Sequence, residues 1–378
     1  MTYSKSTWQY LDERHISYEG QKLLYFAGCD YLGMSRRLGT LQAMKVALSD
    51  TSFLSVSASR KTTGEQTVYQ AAEQALSRQA GMEAALLTGA GYLAPLCLAD
   101  HLQSHGHHLL IDERAHPCLQ DLARLSGCSV HPYRHRDVAS ALSAYHELPD
   151  QKGVFLLSDG VFGLDGTLMP FDDLDEQLPP EVGFIVDDAH GFCCLGQHGQ
   201  GLLEGGSKRN RNLLLSVSLS KALGCHGGAV IGTLPSIDSI MAGSKGWAGH
   251  TPLPPMLAQA TLASLEYLSH HPELLTSLHH RLEHFNQYWE SLGHDTLKFP
   301  VIALAATSQA HAKSVGQRLD MAGIYAPLID YPNASTHGVW RFSFSTAHTL
   351  EDVRMLAQTL SSCIETGQAR RFSMGHGL

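Results

Sequence analysis

No stretch of this chain stays apolar for the roughly 20 residues that a membrane-crossing helix requires. Nothing apolar follows the single lysine of Met1-Thr2-Tyr3-Ser4-Lys5-Ser6-Thr7-Trp8, so a secretory leader is not expected and a cytoplasmic location is. Cysteine never takes a C-x-x-C spacing. The eight cysteines stand singly or as the adjacent pair Cys193-Cys194, which reads as free thiols in a reducing compartment rather than a disulfide framework. Charge is scarce too. Only 17% of residues are charged and the formal net charge is -9, which leaves no basic footprint for nucleic acid. The one tight basic knot, Lys208-Arg209-Asn210-Arg211, reads as a solvated loop.

What is present is a core. Hydrophobic residues make up 43% of the chain, which excludes disorder, and 378 residues are enough for two to three domain equivalents. Histidine is in excess, with 23 residues, yet no H-E-x-x-H or Cys/His knuckle organises it, and no metal is expected. The adjacent pairs His107-His108, His270-His271 and His279-His280 point their side chains to different faces.

Short continuous apolar runs alternate with longer amphipathic stretches through the middle of the chain. Strands are predicted at Ala84-Ala85-Leu86-Leu87, His108 to Ile111, Val154 to Leu157, Phe184 to Val186, Leu213 to Val217 and Gly228 to Ile231. A helix is predicted over Val68 to Ala80. Strands apolar on both faces and separated by helices predict an α/β fold with a mostly parallel central sheet. The prolines of Gly246 to Pro255 argue against regular structure there. One long helical segment is expected from Met256 to Leu292, then strands near Val301 to Leu304 and Val339 to Phe344, and helices near Ala310 to Ala322 and Leu350 to Glu365. This divides the chain into an N-terminal segment (1–40), a large α/β domain (41–255), and a linking helix with a smaller C-terminal α+β domain (256–378).

Ligands of open α/β sheets sit at the carboxyl ends of strands. Three constellations lie there. Ser218-Leu219-Ser220-Lys221 places a lysine between hydroxyls and small residues, where it either serves covalent chemistry or simply reaches solvent from a loop. Asp187-Asp188-Ala189-His190 ends a strand, so that Asp187 either faces the site as a carboxylate for a pyridine nitrogen or caps the next helix. Gly89-Ala90-Gly91-Tyr92 is a possible phosphate cup of exposed N–H groups at a helix start. It matches neither G-x-G-x-x-G nor the P-loop.

The order of these pieces resembles the fold type I enzymes of pyridoxal 5′-phosphate, in which an Asp precedes the Schiff-base Lys by some tens of residues. Within them the chain is similar to the α-oxoamine synthase family from about residue 26 to residue 360. Asp30-Tyr31-Leu32-Gly33 resembles the family's N-[DY]-Y-L-G opening, with Cys29 in place of Asn. Ser59-Arg60-Lys61-Thr62-Thr63-Gly64 resembles G-S-R-x-x-x-G, and Asp112 to His116 resembles D-x-x-x-H. Leu164-Asp165-Gly166 before Pro170, Thr251-Pro252-Leu253-Pro254-Pro255, and Trp340-Arg341-Phe342 before Ala347-His348-Thr349 resemble further family blocks.

The resemblance implies that Lys221 holds the cofactor and later removes the amino acid's α-proton, that Asp187 pairs with the ring nitrogen, and that His190 bonds the phenolic oxygen. His116 would stack on one ring face and Ala189 pack on the other, with Gly91, Tyr92 and Ser218 on the phosphate. Thr251 would reach the phosphate of a neighbouring subunit's cofactor, implying a homodimer, and Arg341 would clamp the amino-acid carboxylate. The implied activity is a C-acyltransferase: decarboxylative condensation of an amino acid, most simply L-alanine, with an acyl thioester, pimeloyl-CoA or a pimeloyl carrier protein, as in biotin synthesis. Other members make α-amino ketone autoinducers or acylate serine. An ordinary aminotransferase would not need the Thr251 and Arg341 blocks in this form, and a catalytically silent partner subunit would have lost the lysine. The chain departs from the family pattern at Tyr69 (usually His), Pro95 (usually Asn), Asp159 (commonly Glu), Gly163 (often Ser) and Ala326 (in a segment that is often R-P-P), which bear on substrate choice.

Overall fold

The computed structural model describes residues 8–50, 54–205, 212–330 and 336–364. The basic knot at 208–211 lies outside the described residues. The chain separates into two units, one comprising Met34–Phe162 and Leu168–Leu275, the other Met1–Gly33, Gly163–Thr167 and Thr276–Leu378.

The first unit is built on a seven-stranded sheet in the spatial order Ala84–Thr88, Gly228–Gly232, Leu213–Ser218, Gly183–Asp187, Val154–Asp159, His108–Asp112, Ser129–Tyr133. Gly228–Gly232 runs antiparallel to both its neighbours, and the other neighbouring pairs are parallel. The sheet is thus mostly parallel, as the continuous apolar runs require: helices cover both faces, and inner strands such as Val154–Asp159 and Gly183–Asp187 are buried at every residue. Ser129–Tyr133 is an edge strand that sequence reading missed. Its Pro132 is tolerated because an edge strand has one unpaired side. Leu86, Leu109, Leu119, Phe155, Ile185, Leu214 and Trp247 form the core of this unit.

Two expectations need correction. The helical stretch from Met256 to Leu292 is two helices, Pro255–His270 and Glu273–Ser291. Pro272 disfavours helical geometry at the residue before it, and His271 accordingly sits at φ -127, ψ 59. The irregular part of the proline-rich segment is also shorter than expected at both ends: Lys245–Ala248 is a short helix capped by Ser244, and Pro255 occupies the first turn of the next helix, where no N–H is needed.

The second unit holds a three-stranded sheet of Val301–Ala305, Val339–Ser343 and Leu328–Ile329. Trp8–Tyr10, His15–Tyr18 and Gln21–Tyr25 form an antiparallel meander, to which Ile324–Tyr325 adds in parallel. Its aromatic ladder stacks Trp8 on Tyr25 and Tyr25 on Tyr325, with ring centroids 5.9 and 6.0 Å apart. The helix Leu350–Cys363 opens with a capping box between Thr349 and Asp352 and buries Val353, Leu356, Ala357 and Leu360 along one stripe. Such a cap is worth ~1 kcal/mol.

His348 in this unit is buried and stacks on Phe26 at 4.3 Å. Its Nε2 donates to the Tyr25 carbonyl at 3.2 Å while its Nδ1 accepts the Ser345 N–H at 3.1 Å, an arrangement that fits the neutral ring. Burial pushes it down to about 4, against a small opposing pull from Asp352. The unfolded chain therefore takes up the proton first. Stability is full above pH ~6.5 and is lost as pH falls from there towards 4, by about 3 kcal/mol from this residue. Urea midpoints measured from pH 7 to pH 4 should fall across that window, and His348→Gln should flatten the dependence; an unchanged slope in the variant would show that His348 is not its source.

Candidate active site

Strand register creates the site. Asp159 and Asp187 are Cα partners at the ends of adjacent parallel strands, and both side chains are buried. Asp159 Oδ1 accepts the His116 backbone N–H at 2.8 Å. Asp187 Oδ1 accepts the Ala189 N–H at 3.1 Å, and its Oδ2 accepts from the Cys118 thiol at 3.0 Å. Burial, with the Asp187 charge added, pushes the Asp159 carboxyl well above the usual carboxylate range.

The next residue shows what strand alternation does. Asp188 is fully buried away from these groups, its Oδ2 accepting the Leu202 N–H at 3.1 Å. Gly160, Gly191 and Gly201 close around it: a Cβ at any of them would come within 2.7, 2.2 or 1.9 Å of its carboxylate oxygens. Burial raises this acid to about 8. Of the two consecutive aspartates, one faces His116 and Cys118 and the other ties down the loop behind them.

His116 is the N-cap of the helix Pro117–Ser126, with Pro117 at the first helical position. Asp112 closes the turn that delivers it, accepting the N–H groups of Arg114 and Arg136 and the ring nitrogen of His135. His116 Nδ1 accepts the Cys118 N–H at 3.3 Å and lies 2.9 Å from Cys118 Sγ. Its ring meets Tyr92 edge to face at 6.0 Å. Loss of water, together with the Lys221 charge, pushes His116 below its ordinary value, while Asp187 opposes the shift.

Gly91 and Ser218 come together. A Cβ on Gly91 would stand 2.7 Å from Ser218 Cβ, and one on Gly228 would stand 2.6 Å from Gly91 Cα, so the loop and two strand ends pack with no room for a side chain. Ser218 Oγ lies 2.9 Å from Ser220 Oγ. The helix after the loop, Leu93–Leu96, is one turn long, so anion binding here depends on local N–H and hydroxyl groups more than on a helix dipole. Lys221 is half-buried in the turn after Leu213–Ser218, and its charge acts on His116, Asp159 and Asp188. Ala189 is buried beside Asp187, and His190 is half-buried.

Thr251 is exposed on the protomer. Its segment is anchored by Tyr69, whose hydroxyl donates to the Leu253 carbonyl at 2.8 Å. Arg60 is structural: it bonds Glu65 and Glu73 while lying over the Tyr69 and Trp247 rings.

Arg341, in the other unit, is buried. Its Nε donates to the Gly163 carbonyl at 2.6 Å and its Nη1 to the Gly28 carbonyl at 3.2 Å, while Nη2 faces the Tyr31 hydroxyl at 3.5 Å. Among the described residues no Asp or Glu pairs with it.

Chemically, a buried carboxylate beside a flat histidine takes a protonated heterocyclic nitrogen, and glycine N–H groups beside a serine hydroxyl take a phosphate. The donor set thus fits pyridoxal 5′-phosphate. Cys118 was missed from sequence; a thiol two residues past a histidine carries no motif, and only the helix start turns it towards Asp187.

The chain matches the aminotransferase class I and II family over residues 21–360. It is 31% identical over 348 residues to an 8-amino-7-oxononanoate synthase of Acidithiobacillus ferrooxidans, covering 91% of this chain and 89% of the relative. It is 32% identical over 347 residues to the enzyme of that name from Methylobacterium nodulans, covering 90% and 87%. In solved structures the fold recurs in a serine palmitoyltransferase of Sphingomonas wittichii (TM-score 0.84, 24% identity, 93% and 90% of the two chains). It recurs also in an 8-amino-7-oxononanoate synthase of Francisella tularensis (TM-score 0.75, 22% identity, 90% and 97%). No helix among the described residues is long and apolar enough to cross a membrane. The chain belongs to the aminotransferase class I and II family, as a pyridoxal 5′-phosphate-dependent fold type I enzyme with α-oxoamine synthases as relatives.

Proposed function

We propose that this enzyme joins L-alanine to a pimeloyl thioester, carried by CoA or a carrier protein, with loss of CO2, to give 8-amino-7-oxononanoate. The observation that carries the reading is Arg341: a buried guanidinium bonded to carbonyls and facing a phenol, with no carboxylate partner among the described residues. Burying a cation without a counter-anion is costly, and a substrate carboxylate relieves that cost through a bidentate pair. The relatives at 31–32% identity are named for the product, 8-amino-7-oxononanoate.

In this reading Asp187 holds the ring nitrogen protonated, with its own orientation set by the Ala189 N–H and the Cys118 thiol. His116 covers one face of the ring and Ala189 the other. His190 bonds the phenolic oxygen, and Gly91, Tyr92 and Ser218 hold the phosphate. Bound pyridoxal 5′-phosphate supplies the electron sink for negative charge at the amino acid's Cα. Lys221 Nζ anchors the cofactor and, once displaced by the amino acid, takes the α-proton. The Cα then attacks the thioester carbonyl, the thiol leaves, and the alanine carboxyl departs as CO2. Thr251, exposed on the protomer, would complete the phosphate site of a second copy, making the active form a homodimer. A cytoplasmic site of action follows from the thioester substrates.

Incubating the holoenzyme with L-alanine and pimeloyl-CoA should release CO2 and yield one product of the amino-oxononanoate mass. Product from L-serine or glycine, and none from L-alanine, would keep the reaction class and overturn the substrate. Arg341→Ala should raise the KM for the amino acid about 10- to 100-fold, the loss of a charged hydrogen-bond pair; an unchanged KM removes Arg341 from substrate binding. Gly91→Ala, forcing a methyl against Ser218, should weaken cofactor affinity about tenfold in a pyridoxal phosphate titration. Full affinity in that variant would move the phosphate elsewhere.

A further inference from the structure

Three lone-pair atoms converge beside the end of the strand Gly183–Asp187. Cys118 Sγ lies 2.9 Å from His116 Nδ1 and 3.0 Å from Asp187 Oδ2, and the three donor atoms all fall within 4.8 Å of one another. His116 Nδ1 already accepts the Cys118 backbone N–H, so it is the bare nitrogen of its ring. Cys118 and Asp187 are both buried. The single thiol hydrogen can bridge sulfur to the nitrogen or to the oxygen, not to both, so a nitrogen, a sulfur and an oxygen face one another at the spacing of a ligand set.

We propose that in the cofactor-free chain His116, Cys118 and Asp187 form a binding site for a thiophilic divalent cation, Zn2+ being the type, and that cation and cofactor exclude one another. Cys118 releases its thiol proton to solvent and binds through sulfur, His116 binds through neutral Nδ1, and Asp187 binds through Oδ2. Water takes the fourth position. One thiolate, one imidazole and one carboxylate are a borderline-soft donor set suited to Zn2+. Bonds of about 2.0 to 2.3 Å around a tetrahedral ion place neighbouring donors roughly 3.3 to 3.7 Å apart, so the side chains need to open by about half an ångström. The Ala189 N–H on Asp187 Oδ1 steadies the carboxylate from behind and leaves Oδ2 free for the ion. His116 is exposed on its outer side, which gives the ion its way in. No spacing motif announces the site, because a helix start and a strand end 69 residues apart supply the donors.

The exclusion part rests on Asp187 pairing with the cofactor ring; the cation site does not. The full-length chain, freed of cofactor with hydroxylamine, is titrated with Zn2+ by calorimetry and with Co2+ by absorbance. One ion per chain is expected, with a thiolate-to-cobalt charge-transfer band in the near ultraviolet. Cys118→Ala and Cys118→Ser should each abolish that band and weaken Zn2+ at least tenfold, while keeping the wild-type circular dichroism spectrum and thermal midpoint, which shows that they fold. Preloading with pyridoxal phosphate should block the ion. Absence of binding, of the band, or of any effect of the Cys118 variants overturns the cation site. Binding of both ion and cofactor together overturns the exclusion. Failure of the wild-type chain to take up pyridoxal phosphate would instead overturn the proposed function and leave the cation result to stand by itself.

Discussion

Two carboxylates that strand pairing forces side by side organise the candidate site. Parallel neighbours in a sheet stand about 4.8 Å apart, and Asp159 and Asp187 end such neighbours as register partners, both out of water. Like charges so placed cannot both be held cheaply. The surrounding groups respond accordingly: the His116 N–H on Asp159, the Ala189 N–H and Cys118 thiol on Asp187, and the Lys221 charge acting on Asp159. Burial and its neighbour's charge raise the Asp159 carboxyl well above the usual carboxylate range. Positioning of His116 depends on the same pair, since its backbone is held by Asp159 while Asp112 closes the turn before it.

Much of this was readable because it lies at the ends of buried strands. An inner strand of a parallel sheet is apolar throughout, so Phe184-Ile185-Val186 followed by two acids marks both the strand and its functional end. The same logic located Lys221 after Leu213–Ser218 and the glycine loop after Ala84–Thr88. Elements without that pattern stayed hidden. Ser129–Tyr133 carries a proline and an exposed face, and the N-terminal meander is aromatic and polar rather than apolar. The division of the long helix at Pro272 is local chemistry that the helical periodicity on either side conceals. Gly163–Thr167, from the middle of the chain, groups with the terminal unit. No local pattern encodes that, because it arises from contacts such as Arg341 Nε with the Gly163 carbonyl.

Departures from the family pattern also acquire physical meaning. At Tyr69, where a histidine is usual, the phenol spans to the Leu253 carbonyl and pins the Thr251–Pro255 segment. A glycine at 163 offers only its carbonyl, which Arg341 takes. Each change is met by a partner inside its own unit, Tyr69 by the Leu253 carbonyl and Gly163 by Arg341.

The central claim is that Lys221 carries the cofactor. It is tested most directly by reducing the pyridoxal phosphate-loaded protein with borohydride and mapping the modified peptide by mass spectrometry. The account predicts a single phosphopyridoxyl group on Lys221. A stable modification of another lysine, or none on a protein that binds the cofactor, would contradict it.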